Sequence, residues 1–268
     1  ISSSLLNMPG TPSSVATTFE SYPMVQKGKA GQALGLAIIS SGIGGFVSGL
    51  VLIVAAPLLA WQALKLGPFE YFSLGVFTYL TVCGLLGGKL WKNLLSVAIG
   101  LTIASIGVDP ITSVPRLTFG LHGLEGGVSV LPFMVGMFCI PQIIDDVTKT
   151  SEVIVPESAR QVSLRNMIPG IDFFKGNFFN YVRSFLIGVI TGILPGLGGT
   201  TSNIISYQVA KSSSKHPEKY GTGIPDGIIA SETANNASIG GAFVPFLALG
   251  IPGCAVTAIL LGALMIQG

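Results

Sequence analysis

The sequence predicts an all-α polytopic membrane protein, and three observations predict it. First, only 10% of the 268 residues are Lys, Arg, Asp or Glu, where a soluble domain carries about 25%. Second, 49% of the residues are hydrophobic and the mean hydropathy is +0.71. A soluble core needs a charged shell to stay in water, and this chain cannot supply one. Third, 36 residues are Gly, roughly twice the usual share of about 7%. Without a G-X-Y period, glycine in an apolar chain points to close helix packing and broken helices in a bilayer. A disordered chain is excluded by the apolar content. A nucleic-acid binder is excluded by a scattered net charge of +2.

The elements follow in order. Ala33 to Ala56 holds 24 residues without a charge. At about 1.5 Å per residue this spans a hydrocarbon core of about 30 Å. Gly45 and Gly49 form a GxxxG pair inside it, which predicts a close helix contact there, and Pro57 is expected to end it. Further spans run from about Tyr71 to Gly88, Leu94 to Val108, Val128 to Ile144 and Phe185 to Leu197. The last three are short, which suits tilted or partly spanning segments.

The one long polar stretch, 145–184, holds five acids and five bases and reads as an extramembrane linker between 1–144 and 185–268. A shorter polar stretch carries Lys211, Lys215, His216, Glu218 and Lys219. The three lysines recur every four residues, which suits a solvated interfacial face, or docking of an acidic partner. From Gly227 to Gly268 there is a single charge, Glu232, and Asn235, Asn236, Gly240, Gly241, Pro245, Pro252 and Gly253 interrupt the run. It reads as helical pieces with breaks. Strict alternation over five spans puts nine bases on the linker side and five on the other, so the positive-inside rule makes the linker side cytoplasmic. The chain starts at Ile1 without Met and stops inside an apolar run, so it reads as a fragment of a longer protein. Cys83, Cys139 and Cys254 lie in apolar stretches and read as small hydrophobes.

An internal repeat carries the functional reading. Leu6-Asn7-Met8-Pro9-Gly10 near the start matches Leu249-Gly250-Ile251-Pro252-Gly253 near the end, and a third Pro-Gly lies at Pro195-Gly196, followed by Gly198. Five spans separate the first and last elements, and an odd number of crossings inverts one relative to the other. That is the pattern of inverted-repeat secondary transporters with broken or re-entrant helices. Pro-Gly breaks a helix, and the freed backbone must face protein or a water-filled cavity. A half-helix N-terminus offers N–H groups and a positive dipole end to an anion. Hydroxyls beside the breaks add donors. The candidate substrate-binding residues are therefore Asn7, Pro9, Gly10, Thr11, Ser13, Pro195, Gly196, Gly198, Thr200, Thr201, Pro252 and Gly253. Ordinary loop turns are the plainer account of a Pro-Gly pair, but three pairs with flanking matches favour the breaks.

Glu232, Asn235 and Asn236 sit at i, i+3 and i+4, on one face if the segment is helical. An acid in an apolar run faces a cavity or a partner. The trio reads either as an ion-coupling site, for a cation or a proton, or as a hydrogen-bond cluster joining helices. Enzyme readings fail. Gly196-Leu197-Gly198 lacks the third glycine, because position 201 is Thr, and no G-x-x-x-x-G-K-[ST], H-E-x-x-H or G-x-S-x-G occurs. A passive channel or a structural membrane scaffold is the alternative to a transporter.

The ordered motifs carry a resemblance. Gly192-Ile-Leu-Pro-Gly-Leu-Gly198 is followed by Tyr207, Lys211, Ser214-Lys215 and Pro217-Glu218. Then come Tyr220-Gly-Thr-Gly223, Glu232, Ala234-Asn235-Asn236-Ala237, Gly240-Gly241 and Leu249-Gly-Ile-Pro-Gly253. With Leu6 to Ser14, Tyr22-Pro23-Met24 and Lys27 to Ala30, these resemble the TctA family, the large membrane subunit of tripartite tricarboxylate transporters. The resemblance runs from near residue 5 to the end. It implies a multi-pass protein of the bacterial inner membrane, about twice this length. It also implies uptake of an organic carboxylate coupled to an ion gradient, typically Na⁺ and otherwise H⁺, with no bound cofactor. The implied partners are a TctB-like small membrane subunit and a TctC-like periplasmic binding protein. Residues 1–144 would end the first repeat and 185–268 would begin the second. Asp226 stands where the family pattern leads us to expect Glu, and the first repeat's own G-x-L-P-G-x-G element is absent.

Overall fold

The computed structural model describes residues 4–5, 11–85, 89–109, 112–129, 132–133, 135–148 and 162–267. They are mostly helical. The helices are α1 (Val15–Gln26), α2 (Ala30–Ala63), α3 (Pro68–Leu85), α4 (Leu90–Ala104), α5 (Ile140–Thr148), α6 (Leu164–Met167), α7 (Ile171–Ile193), α8 (Gly198–Ser212), α9 (Pro225–Leu249) and α10 (Ala255–Gln267). The helical expectation needs one small amendment. Gly107–Val108 (β1) pairs antiparallel with Pro115–Arg116 (β2). The chain divides into two compact units, Ile1–Lys65 with Ser151–Cys254, and Leu66–Thr150 with Ala255–Gly268.

In the first unit α2 is 34 residues long, about 51 Å at 1.5 Å per residue. It is the one described helix long and apolar enough to cross a membrane by itself. Pro57 does not end it, against the sequence expectation, and the helix runs through to Ala63. Proline costs one donor, but ending a helix in lipid would strand several backbone groups at once. The outer half of α2 exposes Phe46, Ile53, Val54, Leu58 and Trp61. Lys65 lays its ammonium over the Trp61 ring, 3.3 Å from the centroid, an arrangement suited to a membrane–water boundary.

The inner half of α2 packs on α9, the helix around which this unit is built. α9 is buried almost all round over Gly227 to Phe246, which requires small residues on every face. A Cβ at Gly44 of α2 would collide with the Thr233 carbonyl, and one at Gly240 of α9 would lie 2.6 Å from the Ser48 side chain. The GxxxG pair Gly45 and Gly49 instead faces open space, so the predicted contact is corrected by one residue, to Gly44 and Ser48. On another face, Gly188 and Gly192 of α7 lie against the carbonyls of Ala234 and Ser238. That small-xxx-small seam is tight enough that a side chain at either glycine would part the helices.

Two further expectations change. The run after Gly227 is one continuous helix to Leu249, unbroken by Asn235, Asn236, Gly240, Gly241 or Pro245, and its single break follows at Gly250. The fifth span begins earlier than the sequence suggested. α7 starts at Ile171, so much of the stretch read as linker is helical, and α6 sits with its Met167 carbonyl against Gly35. The apolar pattern begins late because the first turns of α7 carry Lys175, Asn177, Asn180 and Arg183.

The second unit contains α3, α4, the β pair, α5 and α10. Asn93 donates to the Cys83 carbonyl at 2.8 Å, joining α4 to α3. The loop after α4 is tied by an Arg116–Asp109 ion pair beside the β pair. In the stretch read as a fourth span, the described residues include a π-helical turn, Val135–Cys139, that leads into α5.

Candidate functional site

Two Pro-Gly turns lie side by side in the first unit. α7 ends at Ile193, and Leu194 to Leu197 turn the chain into α8. Gly196 has φ +83°, a conformation that costs an L side chain about 1–2 kcal/mol. Its N–H donates to the Gly253 carbonyl at 3.0 Å. A Cβ at Gly253 would lie 2.7 Å from the Gly192 carbonyl oxygen, and one at Gly198 would lie 3.1 Å from the Cys254 Cβ. The structure thus brings Pro195, Gly196, Gly198, Pro252 and Gly253 together at the N-terminus of α8, where Thr200 and Thr201 form part of the first turn, half-buried.

Ser13 reaches the same turn from another segment. Gly199 lies between the Ser13 Cβ, 3.2 Å from where its own Cβ would stand, and the side-chain oxygen of Asn235. Thr11 and Ser13 are joined hydroxyl to hydroxyl at 3.0 Å, and Ser14 donates to the Thr11 carbonyl at 2.9 Å. Asn7, Pro9 and Gly10 lie outside the described residues. Around the first turn of α8 therefore stand free N–H groups of a helix end, a serine and an asparagine. This set can hold an anionic oxygen.

A second polar cluster lies along α9. Glu232 is buried, and its two carboxylate oxygens are held from two helices. Thr17 of α1 donates to Oε1 at 2.6 Å, and Ser41 of α2 donates to Oε2 at 2.6 Å. Asn236 donates to the Glu232 carbonyl at 3.0 Å, one turn away. Thr17 also meets the Ser231 hydroxyl at 3.1 Å. Asn203 of α8 accepts from the Ala16 N–H at 2.8 Å, satisfying a donor that the start of α1 leaves unpaired. No Lys or Arg pairs with Glu232 among the described residues. Glu232 and Asn236 thus share a face as their spacing requires. Asn235 turns from them toward Gly199, so the trio is divided between the two clusters.

Sequence reasoning missed Thr17, Ser41 and Glu20. Glu20 is fully buried in α1. It accepts from the Tyr207 hydroxyl at 2.9 Å, the Gly221 N–H, the Gly223 N–H at 2.7 Å and the Ile224 N–H at 2.9 Å. Those backbone donors lead directly into α9. The connection they belong to packs Tyr220 edge-on against Tyr207, and burial, with Asp226 nearby, pushes the Tyr220 phenol up to about 12. A signal for Glu20 existed, an acid without a neighbouring base in the sequence, but its partners are some 200 residues away.

The profile of the Tripartite tricarboxylate transporter TctA family matches residues 1–268. The chain belongs to the TctA family. Two relatives come from Agrobacterium vitis. An uncharacterized 52.8 kDa protein in the TAR-I ttuC' 3' region is 37% identical over 267 residues, which cover 98% of this chain and 52% of that protein. An uncharacterized protein in the TAR-II ttuC' 3' region is 42% identical over 81 residues, covering 30% of this chain and 34% of that protein. The chain thus spans about half the length of the first of these relatives. No solved structure matches it. TctA membership puts the chain in a family of membrane transporter components.

Proposed function

We propose that this TctA chain is part of the permease of a secondary transporter that takes up an organic carboxylate, a tricarboxylate by family, driven by a cation gradient. The observation that carries the reading is the pairing of two Pro-Gly turns through the Gly196–Gly253 hydrogen bond at the N-terminus of α8. A transporter needs a helix break near the bilayer midplane, with its freed backbone facing a cavity. In this reading a substrate carboxylate sits at the first turn of α8, on its N–H groups, with Ser13 and Asn235 beside it. The cation sits at Glu232, with Thr17, Ser41 and Asn236 supplying neutral oxygens. Hard oxygen ligands around one carboxylate suit Na⁺, and the same carboxylate would accept a proton.

The two sites share α9, with Asn235 serving one and Glu232 the other. Occupying both would lock the same helix from two sides, which gives a physical route to coupling. The reading extends to a multi-pass protein of the bacterial inner membrane with inverted repeats. It works with a TctB-like membrane subunit and a TctC-like periplasmic binding protein. The test is uptake of labelled citrate and other di- and tricarboxylates by the full-length protein with its partners in vesicles. Uptake should be saturable, run against the substrate gradient and stop when the cation gradients collapse. Uptake that survives loss of both the Na⁺ and the proton gradient overturns the reading.

A further inference from the structure

Glu20 is a buried carboxylate with four donors and no role in either cluster described above. Three of its donors are backbone N–H groups at Gly221, Gly223 and Ile224. Ile224 is the N-cap of α9 and Pro225, which has no N–H, is its first residue. Glu20 therefore satisfies the last backbone donors before α9, from a different helix. The fit is close on both sides. A Cβ at Gly223, where φ is +89°, would lie 2.7 Å from the Met24 backbone nitrogen, and one at Gly227 would lie 2.5 Å from the Glu20 Cγ.

Thr17 lies three residues before Glu20, on the same face of α1. Its hydroxyl reaches Glu232, two turns into α9. α1 is thus fastened to α9 at two points, by Glu20 at the start of that helix and by Thr17 at Glu232. A 2.6 Å hydroxyl–carboxylate bond tolerates little displacement, because hydroxyl bonds lie within about 2.5–3.0 Å. Lys27 also ties this connection, through the Thr222 carbonyl at 2.5 Å, but it is an exposed contact and does not touch the donors next to α9.

We infer that Glu20 is a positioning residue for the cation site, holding α1 in the register that lets Thr17 reach Glu232. The inference rests on the cation reading of Glu232 proposed above. In Glu20→Gln one oxygen still accepts, but the two donors on the other, Gly223 and Ile224 N–H or Gly221 N–H and the Tyr207 hydroxyl, meet an NH2 group instead, and α1 shifts to relieve them. The Thr17 oxygen then leaves Glu232. The cation loses a ligand, while Asn235 on α9 at the α8 turn keeps its place.

The experiment is binding of radioactive sodium to the purified full-length transporter, for Glu20→Gln, Thr17→Val and the double variant. Each single variant should weaken sodium binding by about tenfold, the scale of one charge-assisted hydrogen bond. The double variant should bind no more weakly than either single one, because both act through the same oxygen. Carboxylate affinity at saturating sodium should be unchanged. A purely structural Glu20 would reduce the fraction of folded protein without shifting sodium affinity. That outcome overturns the inference, as do fully additive effects in the double variant. If Glu20→Gln does not fold, Tyr207→Phe removes one donor while the three backbone bonds remain. It should give a smaller shift that again vanishes in the Thr17→Val background, and no shift overturns the inference. If the wild type binds no sodium, or neither Thr17→Val nor Glu232→Gln alters binding, the cation reading fails and the inference falls with it. A shift in Thr17→Val without one in Glu20→Gln sinks the inference alone.

Discussion

Thr17 donates a 2.6 Å hydrogen bond to Glu232 across the interface of α1 and α9. The two residues are 215 positions apart, and each is buried in a helix dominated by small or apolar side chains. An apolar interior gains nothing from such a pair unless both groups are satisfied. Here the second carboxylate oxygen is satisfied by Ser41 at 2.6 Å, with the Asn236 amide 3.5 Å away, so the acid is held by neutral donors. A hydroxyl can rotate its proton away and present a lone pair. The same two residues that hold Glu232 can therefore become ligands when a cation arrives.

Glu232→Gln should separate stability from coupling. The amide keeps one acceptor oxygen, and whichever of Thr17 and Ser41 faces its new NH2 group can rotate to accept from it. Thermal stability in detergent should change by no more than about 1 kcal/mol. Cation dependence of uptake should be lost or strongly flattened. A variant with unchanged dependence on both Na⁺ and pH would show that Glu232 only joins helices.

Gly44→Ala and Gly45→Ala should behave oppositely although they are neighbours. A Cβ at Gly44 meets the Thr233 backbone, whereas one at Gly45 meets nothing within 4 Å. Overpacking against rigid backbone costs about 1–3 kcal/mol, while alanine in an open helix position gains up to about 1 kcal/mol over glycine. Thermal unfolding of the two purified variants checks this. Equal melting temperatures would overturn the packing assignment.

Gly196→Ala should lower stability by about 1–2 kcal/mol from its left-handed backbone alone, and should loosen the Gly196–Gly253 bond that pairs the two turns. The expected signature is a fall in melting temperature together with a higher KM for the carboxylate. Cation half-saturation should stay unchanged, because Glu232 and its partners lie elsewhere on α9.

How much of this was legible in the sequence differs by residue. The Pro-Gly turns at Pro195-Gly196 and Pro252-Gly253 were legible because proline and glycine act on their own backbone, so their effect needs no partner. The pairing of Glu232 with Asn236 was legible because i and i+4 share a helix face. The direction of Asn235 was not, since a residue at i+3 lies at the edge of that face and here turns to Gly199. Pro57 and Pro245 misled because their local cost was read without the larger cost of stranding a helix end in lipid. The GxxxG reading chose Gly45 and Gly49 because spacing identifies a seam but not which face meets a partner. Thr17 and Ser41 carry no local signal at all, and Glu20 carries only that of an acid without a neighbouring base. Their meaning comes from α9, which the chain reaches only after more than 180 further residues.

Gly199→Ala tests the substrate side. The added methyl would collide with the Asn235 side-chain oxygen and press on Ser13, 3.2 Å away. The Asn235 collision is with the end of a side chain, which can turn aside, so the fold should survive and expression should be normal. The displaced amide would no longer stand over the first turn of α8, where the carboxylate is placed. Losing one hydrogen bond to a charged group weakens binding by about 1.5–3 kcal/mol, or roughly tenfold to a hundredfold in KM. Asn235→Ala should raise KM by a similar factor, and the two changes combined should be less than additive, because the methyl acts through the residue that is already gone. Uptake kinetics across a carboxylate concentration series decide it. A normal KM in both variants would move the substrate away from this turn and leave the Pro-Gly pairing a purely structural junction.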